Sequence, residues 1–487
     1  MHRLSSSYEA NVALLDRTLR VNENFDIIKK VLRIGDTGDQ LTLYYIDGFV
    51  EGASMQKLLA QFLSRKGICG GSDGSDRSRI GAENARAFVE FAVPHVESEI
   101  TDDPDKMIQM VLSGATLALG SAFEAYAVII DARTYPVRSV DEPQDDRVMK
   151  GARDGFVETV IFNTALIRRR IRDPRLTMEH RTVGSLSRTD VVLCFVEGKA
   201  DPDYVDQLRR KLDAIQVESL SLGHESLVEC LIKRKWYNPF PKIRTTGRPD
   251  AACAQLLEGS VLILVDNSPE VLILPTTIFD FLQETNDFYF PPLTGGYLRI
   301  VRQLVFFLTL FLTPVWYLLM RYPAVVPGWL SFIIPDEMGK LPILMQLLLV
   351  EFLIDGLRLA SMNTPDMLSN SLSVVGGLIL GDFAVEIGWL IPEVILYMAF
   401  VAIANFSQRS YQLGYAFKFL RVILLILTAF FGIFGFVAGL VLIGVLLCTN
   451  RTVNGKRNYL YPLIPFHGKA LKTILLRVMK REPVEDK

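Results

Sequence analysis

Two apolar runs constrain the chain more than anything else in it. Residues 303–320 (QLVFFLTLFLTPVWYLLM) carry no formal charge, and 420–448 (LRVILLILTAFFGIFGFVAGLVLIGVLLC) carry only Arg421, near one edge. A bilayer core is crossed by about 20 apolar helical residues, so both runs read as spans, the second with length to spare. With a mean hydropathy of +0.26 over 487 residues, the sequence implies a lipid-embedded portion beside one or two other domains.

The first 21 residues (MHRLSSSYEANVALLDRTLRV) hold no uninterrupted apolar core and no small-residue cleavage site, so no secretory signal is expected. Residues up to about 298 are then expected to stay in the cytoplasm. The formal net charge of −2 gives no nucleic-acid signature. Five cysteines without a CxxC pair and five scattered histidines offer no metal spacing. Walker A, GxSxG and HExxH patterns are absent, so no catalytic, cofactor or metal residues are assigned and an enzyme is not expected.

The region before the apolar runs alternates strand-like and helix-like stretches. Residues 41–47 (LTLYYID) read as a strand and 54–63 as a helix, while 64–84, rich in Gly, Ser and charge, read as a loop. Residues 112–130 (LSGATLALGSAFEAYAVII) and 257–275 (LEGSVLILVDNSPEVLILP) share a plan: Leu-x-Gly, an apolar run, small turn residues and a Glu, then a second apolar run. Two hairpins of one design suggest two related α/β lobes. Between them come a helix over 158–172, a strand over 191–196, and a helix from Pro202 with Asp201 as its N-cap. The fold expected is a two-lobed cytoplasmic α/β region, 1–145 and 146–298, then an all-α polytopic membrane domain, 299–449, and a basic cytoplasmic tail, 450–487. The dense basic run Arg168, Arg169, Arg170, Arg172 and Arg175 leaves ion pairing, anionic lipid and nucleic acid open as partners.

Several stretches in order resemble one protein family. Glu142-Pro143, 148–158 (VMKGARDGFVE), 163–170 (NTALIRRR), 238–242 (NPFPK), Arg248-Pro249-Asp250, 256–266 (LLEGSVLILVD) and 374–386 (VVGGLILGDFAVE) are similar to landmarks of the A-subunit family of bacterial spore germinant receptors. Ala152 and Gly247 stand where that family usually has Pro and Glu. The opening over 11–52 resembles one sporulation-protein branch of it. The resemblance implies a protein of the inner spore membrane that acts in germination, beside other germination membrane proteins, in a family thought to assemble as oligomeric ion channels.

In the membrane half, Arg299 and Arg302 precede the first span, and nine Lys or Arg follow the last, among them Arg451 and Lys469. The positive-inside rule then places both termini in the cytoplasm with an even number of crossings, expected near 301–321, 341–359, 388–406 and 420–448, and leaves 324–335 and 371–387 interfacial or re-entrant. Glu351, Asp355 and Arg358 follow at spacings of four and three, on one helix face. Each costs about 2.5–3.5 kcal/mol against lipid at mid-depth, so they must face protein or water. The readings open are an ion path or gate, an internal Asp355–Arg358 pair that fixes packing, a helix lying along the interface, and a transporter's substrate site. Asp382 and Glu386 read equally as a second candidate pair on the ion path or as a surface acidic pair near the interface, with Gly377 and Gly381 allowing close helix approach. Gly432, Gly435 and Gly439 form a packing or oligomer seam in the last span. The leading functional expectation is a homo-oligomeric membrane subunit forming or gating an ion path in germination. A secondary transporter and a non-conducting signalling scaffold are the alternatives.

Overall fold

The computed structural model describes residues 4–34, 39–50, 52–63, 77–93, 97–133, 151–232, 237–283, 289–335, 339–363, 384–408, 410–453, 455 and 458–468. The chain forms two compact units, one of Met1–Lys233 with Ile243–Pro275, the other of Arg234–Lys242 with Thr276–Lys487.

The first unit holds two five-stranded antiparallel sheets. Lobe 1 contains α1 (Tyr8–Leu19), β1 (Ile27–Ile34), β2 (Asp39–Ile46), α2 (Gly52–Leu63), α3 (Arg77–Ala92), β3 (Glu97–Thr101), α4 (Pro104–Leu112), β4 (Thr116–Gly120) and β5 (Ala127–Asp131), with sheet order β1-β2-β4-β5-β3. Lobe 2 runs through α5 (Val160–Arg170), β6 (Leu176–Val183), β7 (Thr189–Val196), α6 (Pro202–Asp213), α7 (His224–Leu231), β8 (Arg244–Thr246), α8 (Pro249–Leu257), β9 (Val261–Val265) and β10 (Val271–Leu274), with order β6-β7-β9-β10-β8. Element for element the orders coincide. The hairpins expected from the shared Leu-x-Gly plan are β4–β5 and β9–β10, each antiparallel.

Strand β4 is buried along its whole length because its sheet is covered on both faces. Leu117 and Leu119 face a core shared with α1 and α4, whereas Ala118 faces one shared with Phe62 of α2 and Phe88 of α3, which is the period-two alternation of a strand. Helix α3 begins inside the stretch expected to be a loop. Phe88 packs on Phe123, and the Asn84 amide donates to the Ala122 carbonyl, so tertiary contacts override the polar composition of 77–84. Residues 64–76 of that expected loop lie outside the described residues.

Helix α5 joins the lobes. Arg168 is fully buried and reaches out of lobe 2 to Asp26 of lobe 1, with Nε donating to Oδ2 at 2.8 Å and Nη2 to Oδ1 at 3.0 Å. Its Nη1 donates to the Leu176 carbonyl at 3.0 Å. Phe25 N–H donates to the Met178 carbonyl and Met178 N–H donates to Asn24, so lobe 1 also covers the open edge of β6. Arg170 pairs with Asp154 and Arg175 with Asp173. For these arginines, of the partners left open for the basic run, ion pairing is what the fold uses.

The second unit contains α9 (Pro292–Arg321), α10 (Ile343–Asn363), α11 (Pro392–Phe406), α12 (Tyr411–Phe431) and α13 (Ile433–Thr449). The run read as one span over 420–448 is two helices. Gly432 sits between them at φ 61° and ψ −135°, a backbone region essentially reserved for glycine, and it folds α13 back along α12. A Cβ at Gly435 would fall 1.9 Å from the Leu427 carbonyl oxygen, and one at Gly439 would fall 2.4 Å from Leu424 Cδ1. The glycine seam is therefore filled from within the chain. At the elbow, Arg321 from the end of α9 donates to the Thr428 and Ala429 carbonyls at the C-terminus of α12, where a cation complements the helix dipole.

Candidate functional site: a buried charge ladder

The chemistry of the helical unit concentrates where α10 runs antiparallel to α12. At one rung, Arg421 Nη2 donates to both carboxylate oxygens of Glu351, at 2.6 and 2.8 Å. One turn along, Lys418 lies 3.3 Å from Glu351 and pairs closely with Asp355. At the third rung the Arg358 guanidinium stands 4.9 Å from the ring centroids of both Tyr411 and Tyr415, in cation–π contact. The spacing explains the match: 351, 355 and 358 recur on one face of α10, and 421, 418 and 415 descend the facing side of α12.

Helix α9 closes the ladder from a third side. Arg421 Nη1 donates to the Thr309 carbonyl at 2.8 Å, and Gln408 donates to the Thr309 hydroxyl at 3.4 Å. Thr309 and Thr313 are buried on α9, five residues before and immediately before Pro314, which interrupts the helix ladder there. Lys418 and Arg421 are buried, Glu351 is nearly so, and the Asp355 side chain keeps 37% of its exposure. Two acids thus meet two bases with formal cancellation. The guanidinium of Arg421 engages both a carboxylate and a carbonyl, which is the geometry that makes a buried pair tolerable.

Glu351, Asp355 and Arg358 come together in the ladder as neighbours of one helix, but Asp355 takes Lys418 rather than Arg358 as its ionic partner. The buried ammonium on α12 pairs with the acid across the helix interface, and Arg358 lies against two tyrosine faces. Glu386 lies apart, exposed at the end of a short helix, Ala384–Glu386. Asp382, Gly377 and Gly381 lie outside the described residues. Sequence reasoning did not single out Lys418 and Arg421 as partners of the acids. The available signal was their i, i+3 spacing at the edge of an otherwise uncharged run, complementary to 351 and 355.

Among the described residues no group of His, Cys, Asp and Glu is placed to hold a metal ion. Cys194 and Cys253 are free thiols buried in the lobe 2 core. Desolvation pushes the Cys253 thiol up to about 12 and raises that of Cys194 as well, so neither is a nucleophile at neutral pH.

The class defined so far is a two-unit chain in which a duplicated α/β region precedes a helical bundle with an apolar exterior and a self-neutralised charge cluster inside. The model of the Bacillus/Clostridium GerA spore germination protein family matches residues 15–484, and the chain belongs to that family. It is 35% identical to Stage V sporulation protein AF of Bacillus subtilis (strain 168) over 459 residues, covering 94% of this chain and 90% of that one. It is 28% identical to Spore germination protein KA of the same organism, covering 98% and 85%, and 29% identical to the Uncharacterized membrane protein YfkQ, covering 80% of each. Among solved structures, the N-terminal domain of the A subunit of the Bacillus megaterium spore germinant receptor GerK3 aligns with 25% identity and a TM-score of 0.41, over 56% of this chain and 96% of that domain.

Proposed function

We propose that this chain is a membrane subunit of a spore-germination complex, and that its helical unit oligomerises to form or gate an ion path. The observation that carries the membrane reading is an inversion of the usual polarity. Large apolar side chains such as Phe352, Trp329 and Phe434 stand exposed on the helical unit, while Lys418, Arg421 and Glu351 are drawn inside. A surface of that kind aggregates in water and suits a hydrocarbon surrounding, where charges must be sheltered. Helices α9 and α12 are long and apolar enough to cross a bilayer, and α11 and α13 are shorter apolar helices. The basic residues that follow α13 favour a cytoplasmic tail, on the same side as the α/β lobes.

In this reading the Glu351–Arg421 and Asp355–Lys418 pairs hold α9, α10 and α12 in one arrangement, and a change in their pairing gates the path. The test uses the purified full chain in liposomes under potassium and sodium gradients. Flux through wild type that Lys418→Met alters supports the reading. Flux absent from wild type and variant alike defeats it.

A second reading, a non-conducting scaffold for other germination proteins, draws support from the same ladder, because its acids are already neutralised within one chain. It expects that Glu351→Gln with Arg421→Gln, at unchanged protein level, leaves spore ion release unaltered.

A further inference from the structure

The two lobes repeat each other down to single hydrogen bonds. Asn11 exchanges two with the backbone of Ser5, at 2.8 and 2.7 Å, and Asn163 exchanges two with the backbone of Val157, at 2.8 and 2.6 Å. Asp47 N–H donates to the Asp26 carbonyl at 2.8 Å as Glu197 N–H donates to that of Arg175 at 2.9 Å. The backbone N–H groups of Asp103 and Arg248 each donate to a threonine hydroxyl two residues back, Thr101 and Thr246, both at 3.2 Å. These anchors pair the lobes position by position. Ala13 matches Ala165, Asp16 matches Arg168, Asp26 matches Arg175, and Gly48 matches Gly198.

The contact between the lobes uses a different face of each. Lobe 1 contributes Asp26 and Gly48, with Arg20 at the end of α1 donating to the Thr177 hydroxyl and pairing with Glu197 at the margin. Lobe 2 contributes α5, whose Ala165 Cβ lies 3.2 Å from where a Gly48 Cβ would be, and whose Arg168 grips Asp26. The contact is therefore head-to-tail, and it leaves one face of each lobe over: the α1 face of lobe 1 and the Arg175–Gly198 face of lobe 2. Both are open. Glu9 and Ala13 are exposed on α1, nothing lies within 4 Å of a Cβ at Gly198, and the Arg175 side chain keeps 60% of its exposure. The counterparts of the Asp26–Arg168 pair are Arg175 and Asp16, again of opposite sign, with the charges exchanged.

We propose that the Arg175–Gly198 face of one chain docks on α1 of a second copy, repeating between molecules the packing that joins the two lobes within one. The inference rests on the oligomeric reading above and assigns it a surface. In the single chain Arg175 holds Asp173 at 2.7 Å, while Asp16 accepts from Tyr44 at 2.8 Å and pairs with Lys29, so docking draws each of the two charges from its present partner. Pro174 stands where Phe25 donates its N–H to Met178, so the contact between copies lacks that main-chain bond and is the more readily reversed of the two. Being head-to-tail, it closes a ring or propagates.

The test uses the full chain in detergent. Chains carrying Ala13→Cys are mixed with chains carrying Arg175→Cys, both with Cys69, Cys230 and Cys448 replaced by Ser, and treated with a short bis-maleimide. A cross-linked dimer that forms in the mixture and in neither chain alone is the expected result. Asp16→Arg and Arg175→Asp should each lower the oligomeric fraction, measured by light scattering, by about tenfold or more, and the double variant should restore it, which a folding defect would not do. Oligomers that form without the cross-link and ignore the charge changes overturn this surface and leave the oligomeric reading standing. A wild-type chain of monomeric mass overturns both.

Discussion

Replacing Glu351 with Gln tests the ladder most directly. Arg421, 2% exposed, would keep the Thr309 carbonyl but lose both carboxylate bonds, and Lys418 would lose its neighbour at 3.3 Å. Removing one partner of a buried pair costs about 3–5 kcal/mol, because the remaining charge stays desolvated. Asp355 remains paired with Lys418 and, although partly exposed, offsets part of this, so the lower end, about 3 kcal/mol, is the expected loss. That corresponds to roughly a hundredfold drop or more in the folded-to-unfolded ratio. Reversible unfolding of the helical unit in mixed detergent micelles, followed by tryptophan fluorescence, measures it. Glu351→Leu combined with Arg421→Met removes both charges and should recover most of the loss, since apolar replacement of a whole buried pair is about neutral or stabilising. A single variant that loses under about 1 kcal/mol, or a double variant that loses the sum of the two singles, would refute the argument that these charges are held by each other.

Four further outcomes are expected. Asp26→Asn leaves Arg168 buried without its counter-charge and should lower the stability of the α/β unit by about 3–5 kcal/mol, read by chemical denaturation. Gly435→Leu drives side-chain atoms into the Leu427 carbonyl and should open the α12–α13 hairpin, seen as new protease sensitivity around residue 432. The hydrogen bond from Arg133 holds the Asp131 carboxyl below its ordinary 3.8, so its contribution to stability is complete above that value and is lost as pH falls through the depressed one; Arg133→Ala should move the NMR titration of Asp131 back up. Alkylation of the folded chain at pH 8 should modify Cys230, which is exposed, and spare Cys194 and Cys253 until unfolding.

The parts of the fold legible in the sequence were those with short-range signals. The β4–β5 and β9–β10 hairpins announced themselves by paired apolar runs around small turn residues, and α6 by Asp201, whose side chain does accept from Asp203 N–H, and by Pro202. Strand β1 (IIKKVLRI) was not read, because Lys29, Lys30 and Arg33 break the alternation on a sheet edge, where charge is tolerated. The break at Gly432 was hidden for a different reason: glycine in an apolar run signals close packing and reversal equally well, and only a neighbour such as Leu427 decides between them. The acids of α10 were visible as misplaced charges. Their partners were not, because pairing across about 70 residues depends on which helices become neighbours, and spacing within one helix does not contain that information.

The grip of Arg321 on the carbonyls of Thr428 and Ala429 has a mechanical consequence. The Gly432 elbow cannot swing alone, since the hydroxyl of Tyr322, next to Arg321, lies 2.6 Å from where a Cβ of that glycine would be. The end of the first long helix is thus hitched to the crank between the last two, and any push or pull along α9 is delivered to a joint with a single residue of slack.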